Sequence, residues 1–293
     1  MKSLYPTYQL SNFNTYKKEG ILASKFGVYL AENPHFFKPH KHDFYHLLLF
    51  TAGKGKHQLD FKYFDIEPGS MYFMAPGQVH TWEFSEQPDG YLVNFSVDYF
   101  NGLLANPAYL SMLPFFSSNL QQQVFQLNLE TQHKLIALFE EIFNLEHNLS
   151  YKYGDDFVRI NLLKIFMYIA QFTDSVTTSQ NDPYNHTLLN NFKNLIEVHF
   201  REIKLPKDYA AKLFITPNHL NAVCSTYLKQ SAGEIIRERV LLEAKRMLMN
   251  FDLRISEIAE NLGFNDQSYF IRFFKKHENI SPEKFRNQYR YDK

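Results

Sequence analysis

Four histidines in the N-terminal half of the sequence are spaced so that their imidazoles could act together. His40, His42 and His46 follow one another as His-x-His-x3-His, and His80 ends the turn-rich segment Pro76-Gly77-Gln78-Val79-His80. Imidazole nitrogens bind zinc, copper or iron, and they also donate or accept hydrogen bonds. The pattern therefore indicates either a metal centre or a polar binding site for a small molecule.

Three interpretations of these histidines stay open. They converge on a metal ion, they line a small-molecule pocket among aromatic side chains, or they are ordinary residues of strand ends. We favour the pocket and predict neither a metal ligand set nor a bound cofactor, and we expect His35 and His57 to be exposed. The predicted effector-binding residues are His40, His42, Tyr45, His46, Tyr72, His80 and Trp82.

A repeat in the C-terminal half contains the second group of chemically informative residues. Ala210 and Leu213 recur 49 residues later as Ala259 and Leu262, and beyond the turn the offset becomes 50 residues. Each copy reads as a short helix, a tight turn and a second helix that begins at a capping residue. The repeat predicts two helix-turn-helix motifs over about residues 206–228 and 255–277, joined by an amphipathic helix.

The second helix of each copy contains side chains that can contact DNA. Asparagine and glutamine amides pair with an adenine edge, arginine pairs bidentately with guanine, and lysine neutralises phosphates. Aromatic residues of the second copy, Tyr269, Phe270, Phe273 and Phe274, are expected in the core instead. The predicted DNA-binding residues are Thr216, Asn218, Asn221, Gln267, Ser268, Arg272, Lys275 and Lys276.

Length, composition and charge limit the classes of protein to which both groups of residues can belong. The length of 293 residues predicts two domains. A single cysteine excludes an internal disulfide and a cysteine-rich zinc module, and it suits a cytoplasmic location. We find no secretory signal and no apolar run long enough to span a membrane. The net charge of zero divides into +5 for residues 186–293 and −5 for residues 1–185, so the basic excess that nucleic-acid binders show lies with the repeat.

Three sequence patterns along the chain predict the elements that position these residues. From about Phe26 to Ser96, short alternating segments separated by glycine and proline turns predict an antiparallel sandwich or small barrel. Apolar residues at three- and four-residue steps predict two antiparallel helices over about residues 130–172. The polar stretch 173–185 is predicted to be a linker, and everything after it is predicted to be helical.

The repeated half resembles the AraC/XylS family of bacterial transcriptional regulators over about Leu188–Arg290. The specific part is Ile255–Tyr289, which contains Ile-Ser-Glu-Ile-Ala-Glu-Asn-Leu-Gly-Phe, Gln-Ser-Tyr-Phe-Ile-Arg-Phe-Phe-Lys-Lys and Ile-Ser-Pro-Glu-Lys-Phe-Arg. The resemblance implies one recognition helix in each of two successive major-groove faces, and sensing of an effector, often a sugar or related nutrient.

The first copy departs from the pattern of that family. Phe214 stands at the turn position that is usually glycine, and Ala222 stands where many relatives have a base-reading arginine. The glycine that usually ends each recognition helix is Lys229 in the first copy and Asn279 in the second. The first copy is therefore expected to read fewer bases than the second.

The histidine segment, in which six residues separate His46 from Gly53, resembles the two motifs of a cupin barrel over roughly Lys25–Ser96. In metal-binding cupins the third position is typically glutamate, whereas this sequence has His46. The predicted fold is thus multidomain, with an N-terminal all-β cupin-like barrel and flanking α-helices over residues 1–172, and a C-terminal all-α double helix-turn-helix over residues 186–293.

These observations predict a cytoplasmic, sequence-specific transcriptional regulator, an activator that responds to a small-molecule effector such as a sugar. Its predicted partners are double-stranded DNA, a second copy of the chain through the helices at about 130–172, and RNA polymerase. The sequence contains no nucleotide-binding loop, nucleophile elbow or metalloprotease motif, so we expect no catalytic residue and no enzymatic activity. The alternatives are a cupin metalloenzyme with an accessory helical domain and an effector-independent activator.

Overall fold

The computed structural model describes residues 5–13, 18–102, 109–116, 122–148, 150–172 and 183–289. These residues form two compact units, one within Tyr5–Ser175 and one within Val176–Lys293. The first is rich in β-sheet and the second is helical. The predicted fold class, a sheet-rich N-terminal part followed by a helical helix-turn-helix part, is confirmed.

The N-terminal unit contains two five-stranded sheets. Its strands are β1 (Thr7–Tyr8), β2 (Ile21–Lys25), β3 (His40–His42), β4 (Tyr45–Ala52), β5 (Gly55–Leu59), β6 (Lys62–Ile66), β7 (Ser70–Met74), β8 (Val79–Phe84), β9 (Asp89–Phe95) and β10 (Val124–Gln126). The strand order is β1-β3-β8-β5-β6 in one sheet and β10-β7-β4-β9-β2 in the other. Its helices are α1 (Phe26–Glu32), α2 (Val97–Asn101), α3 (Tyr109–Met112), α4 (Leu129–His147) and α5 (Gly154–Ala170).

Strand β4 contributes side chains to two separate hydrophobic cores, one on each face of its sheet. The side chains of Leu47, Leu48, Leu49 and Phe50 are all fully buried, as expected for a continuous apolar run covered on both faces. Because successive side chains of a strand point to opposite faces, Leu48 and Phe50 enter the core between the two sheets. Leu47 and Leu49 enter a second core, which the helices α4 and α5 complete.

Helices α4 and α5 confirm the pair predicted at about residues 130–172. Leu135, Phe139 and Ile142 form the buried stripe of α4, and Val158 and Leu162 begin that of α5. Both stripes belong to the same core as the outer face of β4. Burial of these apolar faces therefore fixes the helices against the sheet.

The start of the sheet region differs from the prediction. Residues 21–25 already form the strand β2, whereas the segment beginning at Phe26 forms the helix α1. Phe26, Tyr29 and Leu30 are the buried residues of α1, at the three- and four-residue steps typical of a helix. The prediction was wrong here because it treated the aromatic residues after Phe26 as parts of strands.

The C-terminal unit consists of seven helices among the described residues. They are α6 (Pro183–His199), α7 (Pro206–Lys212), α8 (Pro217–Leu228), α9 (Ala232–Leu248), α10 (Ile255–Asn261), α11 (Gln267–Glu278) and α12 (Pro282–Gln288). Residues 183–185, predicted to belong to the linker, form the first turn of α6, where proline is tolerated because its missing N–H needs no partner. The rest of the predicted linker, residues 173–182, lies outside the described residues.

Two helix-turn-helix motifs follow the predicted repeat. The first consists of α7 and α8 and the second of α10 and α11, and the small Ala210 and Ala259 are buried in the first helix of each motif. The Thr216 hydroxyl accepts a hydrogen bond from the backbone N–H of His219 (3.2 Å) at the start of α8. Asp266 accepts one from the N–H of Tyr269 (2.7 Å) at the start of α11. Side-chain capping thus sets where each second helix begins.

Left-handed backbone conformations mark the same two points in each motif. Phe214 (φ 57°) and Gly263 (φ 69°) lie in the turns, and Lys229 (φ 57°) and Asn279 (φ 61°) follow the ends of α8 and α11. Glycine adopts this conformation at no steric cost, asparagine at a modest one, and other residues at a larger one. Phe214, Lys229 and Asn279 therefore keep the backbone conformation that glycine would adopt at these positions, at a higher conformational free energy.

None of the helices in the described part of the chain combines the length and apolar character that crossing a membrane requires.

Candidate effector and DNA-contacting sites

Five histidines, which we call the histidine cluster, converge in the core between the two sheets: His40, His42, His46, His57 and His80. His40 and His42 come from β3, His57 from β5 and His80 from β8 of one sheet, while His46 comes from β4 of the other. Strand pairing sets His40 directly opposite His80. All five side chains are at most 3% exposed, so the cluster is enclosed by protein.

Short nitrogen–nitrogen distances link three of these imidazoles, and a fourth lies close to a backbone oxygen. His80 Nε2 lies 2.8 Å from His42 Nε2, and His80 Nδ1 lies 3.1 Å from His57 Nε2. His40 Nδ1 lies 2.8 Å from the backbone carbonyl oxygen of Lys38. Since a carbonyl can only accept, His40 must carry its proton on Nδ1, which leaves a lone pair on Nε2.

Burial keeps the cluster uncharged. Desolvation lowers the pKa of His40 to about 4 and that of His46 to about 3. The pKa values of His42, His57 and His80 are also lowered well below the usual value, again chiefly by burial and further by the neighbouring imidazoles. Near neutral pH the five rings are therefore neutral and offer lone pairs as well as N–H groups.

Aromatic rings form the walls around the cluster. The Phe36 ring stacks on His40 at 4.5 Å between centroids, and Trp82 lies edge-on to His80 at 4.8 Å. Tyr72 lies 4.6 Å from His57, and its hydroxyl donates a hydrogen bond to the backbone oxygen of Asp65 (2.6 Å). The interior thus combines a polar histidine centre with an apolar aromatic surround.

Most of the predicted effector-binding residues lie together in this interior, and one does not. His40, His42, His46, His80, Tyr72 and Trp82 converge there. Tyr45 lies on the opposite face of β4, where its ring stacks on Phe95 at 5.3 Å in the core beneath the helices. The prediction for Tyr45 failed because β4 alternates its side chains and Tyr45 is one residue out of phase with His46.

His57 is the cluster member that sequence reasoning missed. It was expected to be exposed, yet it is fully buried and lies beside His80, whereas His35 is exposed as expected. A signal was present, because His57 precedes the apolar Leu59 by two residues and so shares its inward face of β5. Lys56 and Gln58, the polar neighbours of His57, lie on the other face of the same strand.

Three of the histidines are arranged so that they could hold a metal ion. One ligand nitrogen from each of His40, His42 and His80 can be chosen so that all three lie within 4.8 Å of one another. His46 is not part of this group, although its ring stacks parallel to that of His42 at 5.6 Å. The described residues thus select a set different from the four histidines considered in the sequence.

The predicted DNA-binding residues of α8 divide into two kinds. Thr216 caps the helix, and Asn218 is exposed in its first turn. Asn221 is half-buried, and its Oδ1 accepts a hydrogen bond from the backbone N–H of Ala232 (3.1 Å) at the start of α9. This bond joins α8 to the start of α9, and it engages the oxygen that an amide would also use, together with its NH2 group, to pair with an adenine edge.

The predicted residues of α11 all lie on its exposed surface. Ser268, Arg272, Lys275 and Lys276 are spaced by three and four residues, which places them on one face, and Gln267 is exposed beside them. Within the described part of the chain the Arg272 guanidinium makes neither a hydrogen bond nor an ion pair. This face therefore presents free donors and positive charge.

The opposite face of α11 builds the core. Phe270 and Phe274 are fully buried, and Phe273 is partly buried against Phe264, with 5.2 Å between the centroids. Tyr269 is 53% exposed, so its predicted place in the core was wrong. It immediately follows Ser268 on the helix and borders the polar face.

Comparison with known proteins follows the same division of the chain. Residues 26–153 match the AraC-like ligand binding domain, and residues 209–288 match a helix-turn-helix domain. The probable transcription factor PqrA of Proteus vulgaris is 43% identical over 68 residues, which are 23% of this chain and 56% of PqrA, so the chain spans less than two thirds of that relative.

Two further proteins resemble the chain over most of its length. The transcriptional activator RhaS of Mannheimia succiniciproducens is 26% identical over 260 residues, covering 85% of this chain and 89% of RhaS. The crystal structure of ToxT from Vibrio cholerae O395 is 15% identical, covers 92% of this chain and 98% of ToxT, and gives a TM-score of 0.44. The chain thus contains an AraC-like ligand binding domain followed by a helix-turn-helix domain, and RhaS, which it resembles over most of its length, is a transcriptional activator of the helix-turn-helix type.

Proposed function

We propose that the chain is a sequence-specific DNA-binding transcriptional regulator whose N-terminal unit binds a small-molecule effector. The observation that carries the DNA-binding part is the surface of α11, where Arg272 has no partner among the described residues and lies on one face with Ser268, Lys275 and Lys276. An unpaired guanidinium on the first turns of the second helix of such a motif suits a guanine edge.

The residues of that face take different roles in the proposal. Arg272 pairs with guanine, and Gln267 and Ser268 contact neighbouring bases from the first turn. Lys275 and Lys276, further along the helix, contact phosphates and set affinity without choosing a sequence. In the first motif, Asn218 is the exposed amide that remains for base contact.

A band-shift titration across salt concentrations tests DNA binding directly. With random-sequence DNA the logarithm of the affinity should fall linearly with the logarithm of the salt concentration, because bound phosphates release counterions. Lys275→Ala and Lys276→Ala should each reduce that slope by about 1, whereas Lys62→Ala, an exposed lysine of β6, should leave it unchanged. The absence of any shift at low salt would contradict the proposal.

We place the effector in the core between the sheets. The support is the convergence of uncharged histidines with Tyr72 and Trp82, and the AraC-like ligand binding domain that spans these strands. A sugar or related nutrient has hydroxyl groups that imidazole nitrogens can bind and a face that an indole ring can cover. Because the histidines are buried, ligand entry requires an opening of the unit.

Thermal-shift screening of sugars and related nutrients tests the effector. A ligand that binds the native state raises the unfolding temperature in proportion to the logarithm of its concentration. His46→Ala should remove the shift, and His133→Ala, which changes an exposed histidine of α4, should keep it. If His46→Ala kept the shift as His133→Ala does, the effector would bind elsewhere.

We infer that two copies of the chain associate through α5. Phe157 (50% exposed), Ile160 (39%) and Met167 (43%) project apolar side chains from α5 although its other face is packed on the sheet. Covering this stripe with the same stripe of a second copy removes it from water. Sedimentation should give a dimer for the natural chain and a monomer for Phe157→Glu, while Phe37→Glu, at another exposed apolar residue, should remain dimeric.

The remaining parts of the proposal concern action in the cell. We infer that the protein acts in the cytoplasm as an activator that contacts RNA polymerase, in line with the activator RhaS. Deleting the gene should then lower the transcript of an adjacent target, and a raised transcript would make the protein a repressor. The metalloenzyme alternative is not favoured, because the relatives RhaS and RhaR, which match the chain over most of its length, are named as transcriptional activators.

A further inference from the structure

The histidine cluster contains more unpaired polar atoms than a stable protein interior normally retains. Among the described residues, His40 Nε2, His42 Nδ1 and His57 Nδ1 are buried without a hydrogen-bond partner. Buried polar atoms are nearly always paired with protein, water or an ion, because losing water without a replacement costs free energy. A water molecule, an ion or a polar ligand in this centre would supply the missing partners.

The positions of the protons decide which atoms face one another. His40 carries its proton on Nδ1, bound by the Lys38 carbonyl, so that its Nε2 offers a lone pair. If His80 donates from Nδ1 to His57 Nε2, its Nε2 also offers a lone pair, and that atom is 2.8 Å from His42 Nε2. The hydrogen-bond partners of His40 and His80 thus direct two Nε2 lone pairs inward.

From this arrangement we infer that the N-terminal unit binds one borderline divalent transition-metal ion, such as Zn²⁺ or Cu²⁺, through Nε2 of His40, His42 and His80, with His57 as a positioning residue. The three residues are those whose ligand nitrogens lie within 4.8 Å of one another. A tetrahedral zinc ion with Zn–N bonds of about 2.0–2.1 Å separates its ligands by about 3.3 Å, so the rings would have to move from their present spacing when the ion binds.

Two of the three ligands, His40 and His80, already have a second contact that orients the ring. Metal-binding histidines usually donate their other N–H to a carbonyl, a carboxylate or a similar acceptor, which fixes the ring and the proton position. Here the Lys38 carbonyl takes that role for His40, and His57 Nε2 takes it for His80. The core thus provides three ligand atoms and the groups that orient two of the three rings.

The chemistry of the ligands narrows the choice of metal. Three neutral imidazoles without a thiolate suit Zn²⁺, Cu²⁺ or Ni²⁺, and the lack of oxygen ligands disfavours Mg²⁺ and Ca²⁺. Three protein ligands leave a fourth position for water or for an oxygen atom of an effector. The inference goes beyond the proposed function, because it requires neither DNA binding nor a particular effector.

Titration calorimetry on the metal-stripped full-length chain tests the site. Zn²⁺ should bind one ion per chain and raise the unfolding temperature, and His40→Gln or His80→Gln should weaken binding by more than about 100-fold, a larger effect than removing an orienting group. His133→Gln, at an exposed histidine of α4, should bind zinc as the natural chain does. Binding that persists in the double variant of His40 and His80 would overturn the inference.

His57 has a test of its own. His57→Ala should weaken zinc binding by about 10–100-fold, and His57→Gln, which keeps an acceptor for His80, should restore part of the affinity. Equal affinity in both variants would remove its positioning role.

Electron paramagnetic resonance of the Cu²⁺-loaded natural chain counts the bound imidazoles without any variant, so a variant that fails to fold does not prevent the test. Couplings from three histidine nitrogens are expected, and a spectrum without nitrogen couplings would contradict the site. A band-shift on the same samples separates this result from the proposed function, since DNA binding with no metal bound would leave that function intact.

Discussion

The two helix-turn-helix motifs share one backbone plan and differ in almost everything that contacts the outside. Each has a left-handed residue in its turn, a side-chain cap and a left-handed residue after its second helix. Yet α8 contains no lysine or arginine, whereas α11 contains Arg272, Lys275 and Lys276. The fold of such a motif is therefore set by a few local positions, and its DNA chemistry is set independently by the exposed face.

The turns differ in the same way. The backbone of Gly263 packs so closely that an added Cβ would lie 2.0 Å from the carbonyl oxygen of Arg201. Phe214, at the equivalent turn, is 95% exposed. The turn of the second motif thus packs tightly against the rest of the helical unit, whereas the side chain at the turn of the first motif is exposed to solvent.

The largest expected effect on stability comes from adding a side chain at Gly263, in the tight turn of the second motif. Gly263→Ala should destabilise the helical unit by about 3 kcal/mol, since it adds both a clash with backbone and a strained left-handed conformation. Phe214→Ala, the matched change at the open turn, should alter the free energy of unfolding by less than about 0.5 kcal/mol. Urea unfolding followed by circular dichroism measures both, and equal losses would abolish the contrast between the turns.

The next effect concerns base reading. Arg272→Ala should weaken binding to the preferred DNA site by about 1–3 kcal/mol and leave binding to random DNA much less affected, because a bidentate contact with guanine is lost. Asn218→Ala in the first motif should cost less, about 1 kcal/mol or under. Competition band-shifts compare the two variants. An equal loss on both kinds of DNA would reduce Arg272 to a phosphate contact.

A smaller effect distinguishes bracing from base reading within the first motif. Asn221→Ala removes the hydrogen bond to Ala232 N–H and should lower the free energy of unfolding by about 1 kcal/mol with no change in sequence preference. Ser225→Ala, at an exposed position of the same helix, is the control and should change neither. If the preferred sequence shifted with Asn221→Ala, the residue would read a base after all.

The smallest expected effect is a gain. Phe214→Gly should stabilise the helical unit by about 0.5–1 kcal/mol, because it relieves a left-handed conformation and the exposed ring gives up no burial. Asn279→Gly should gain only a few tenths of a kcal/mol, since asparagine already tolerates that conformation. Thermal unfolding measures both changes. A loss of stability in Phe214→Gly would show that the ring makes a contact in solution.

The helix-turn-helix motifs could be predicted from sequence because their determinants are local. Caps such as Thr216, the small Ala210 and the repeat itself all act within a few residues. Strand positions such as Ser70–Met74 were equally accessible, because turn residues bound them. What the exposed face reads was only partly accessible, since the engagement of Asn221 depends on α9, eleven residues along the chain.

The interior of the N-terminal unit was harder, because strand register brings together residues far apart in sequence. His57 lies beside His80 because β5 and β8 are neighbours in one sheet, and no local sequence pattern predicts that pairing. Tyr45 and His46 show the reverse problem, since adjacent residues on a strand enter different cores. The residue types of the site were thus predictable, and their grouping depended on topology.

The position of Trp82 gives the chain a built-in optical reporter. It is the only tryptophan in the sequence, it is 2% exposed, and its ring lies 4.8 Å from His80 and 5.4 Å from His57. All indole fluorescence therefore originates between the two sheets, and none comes from the helices that contact DNA. An open-shell ion such as Cu²⁺ held by His80 quenches that emission at contact distance, whereas the closed-shell Zn²⁺ leaves it bright.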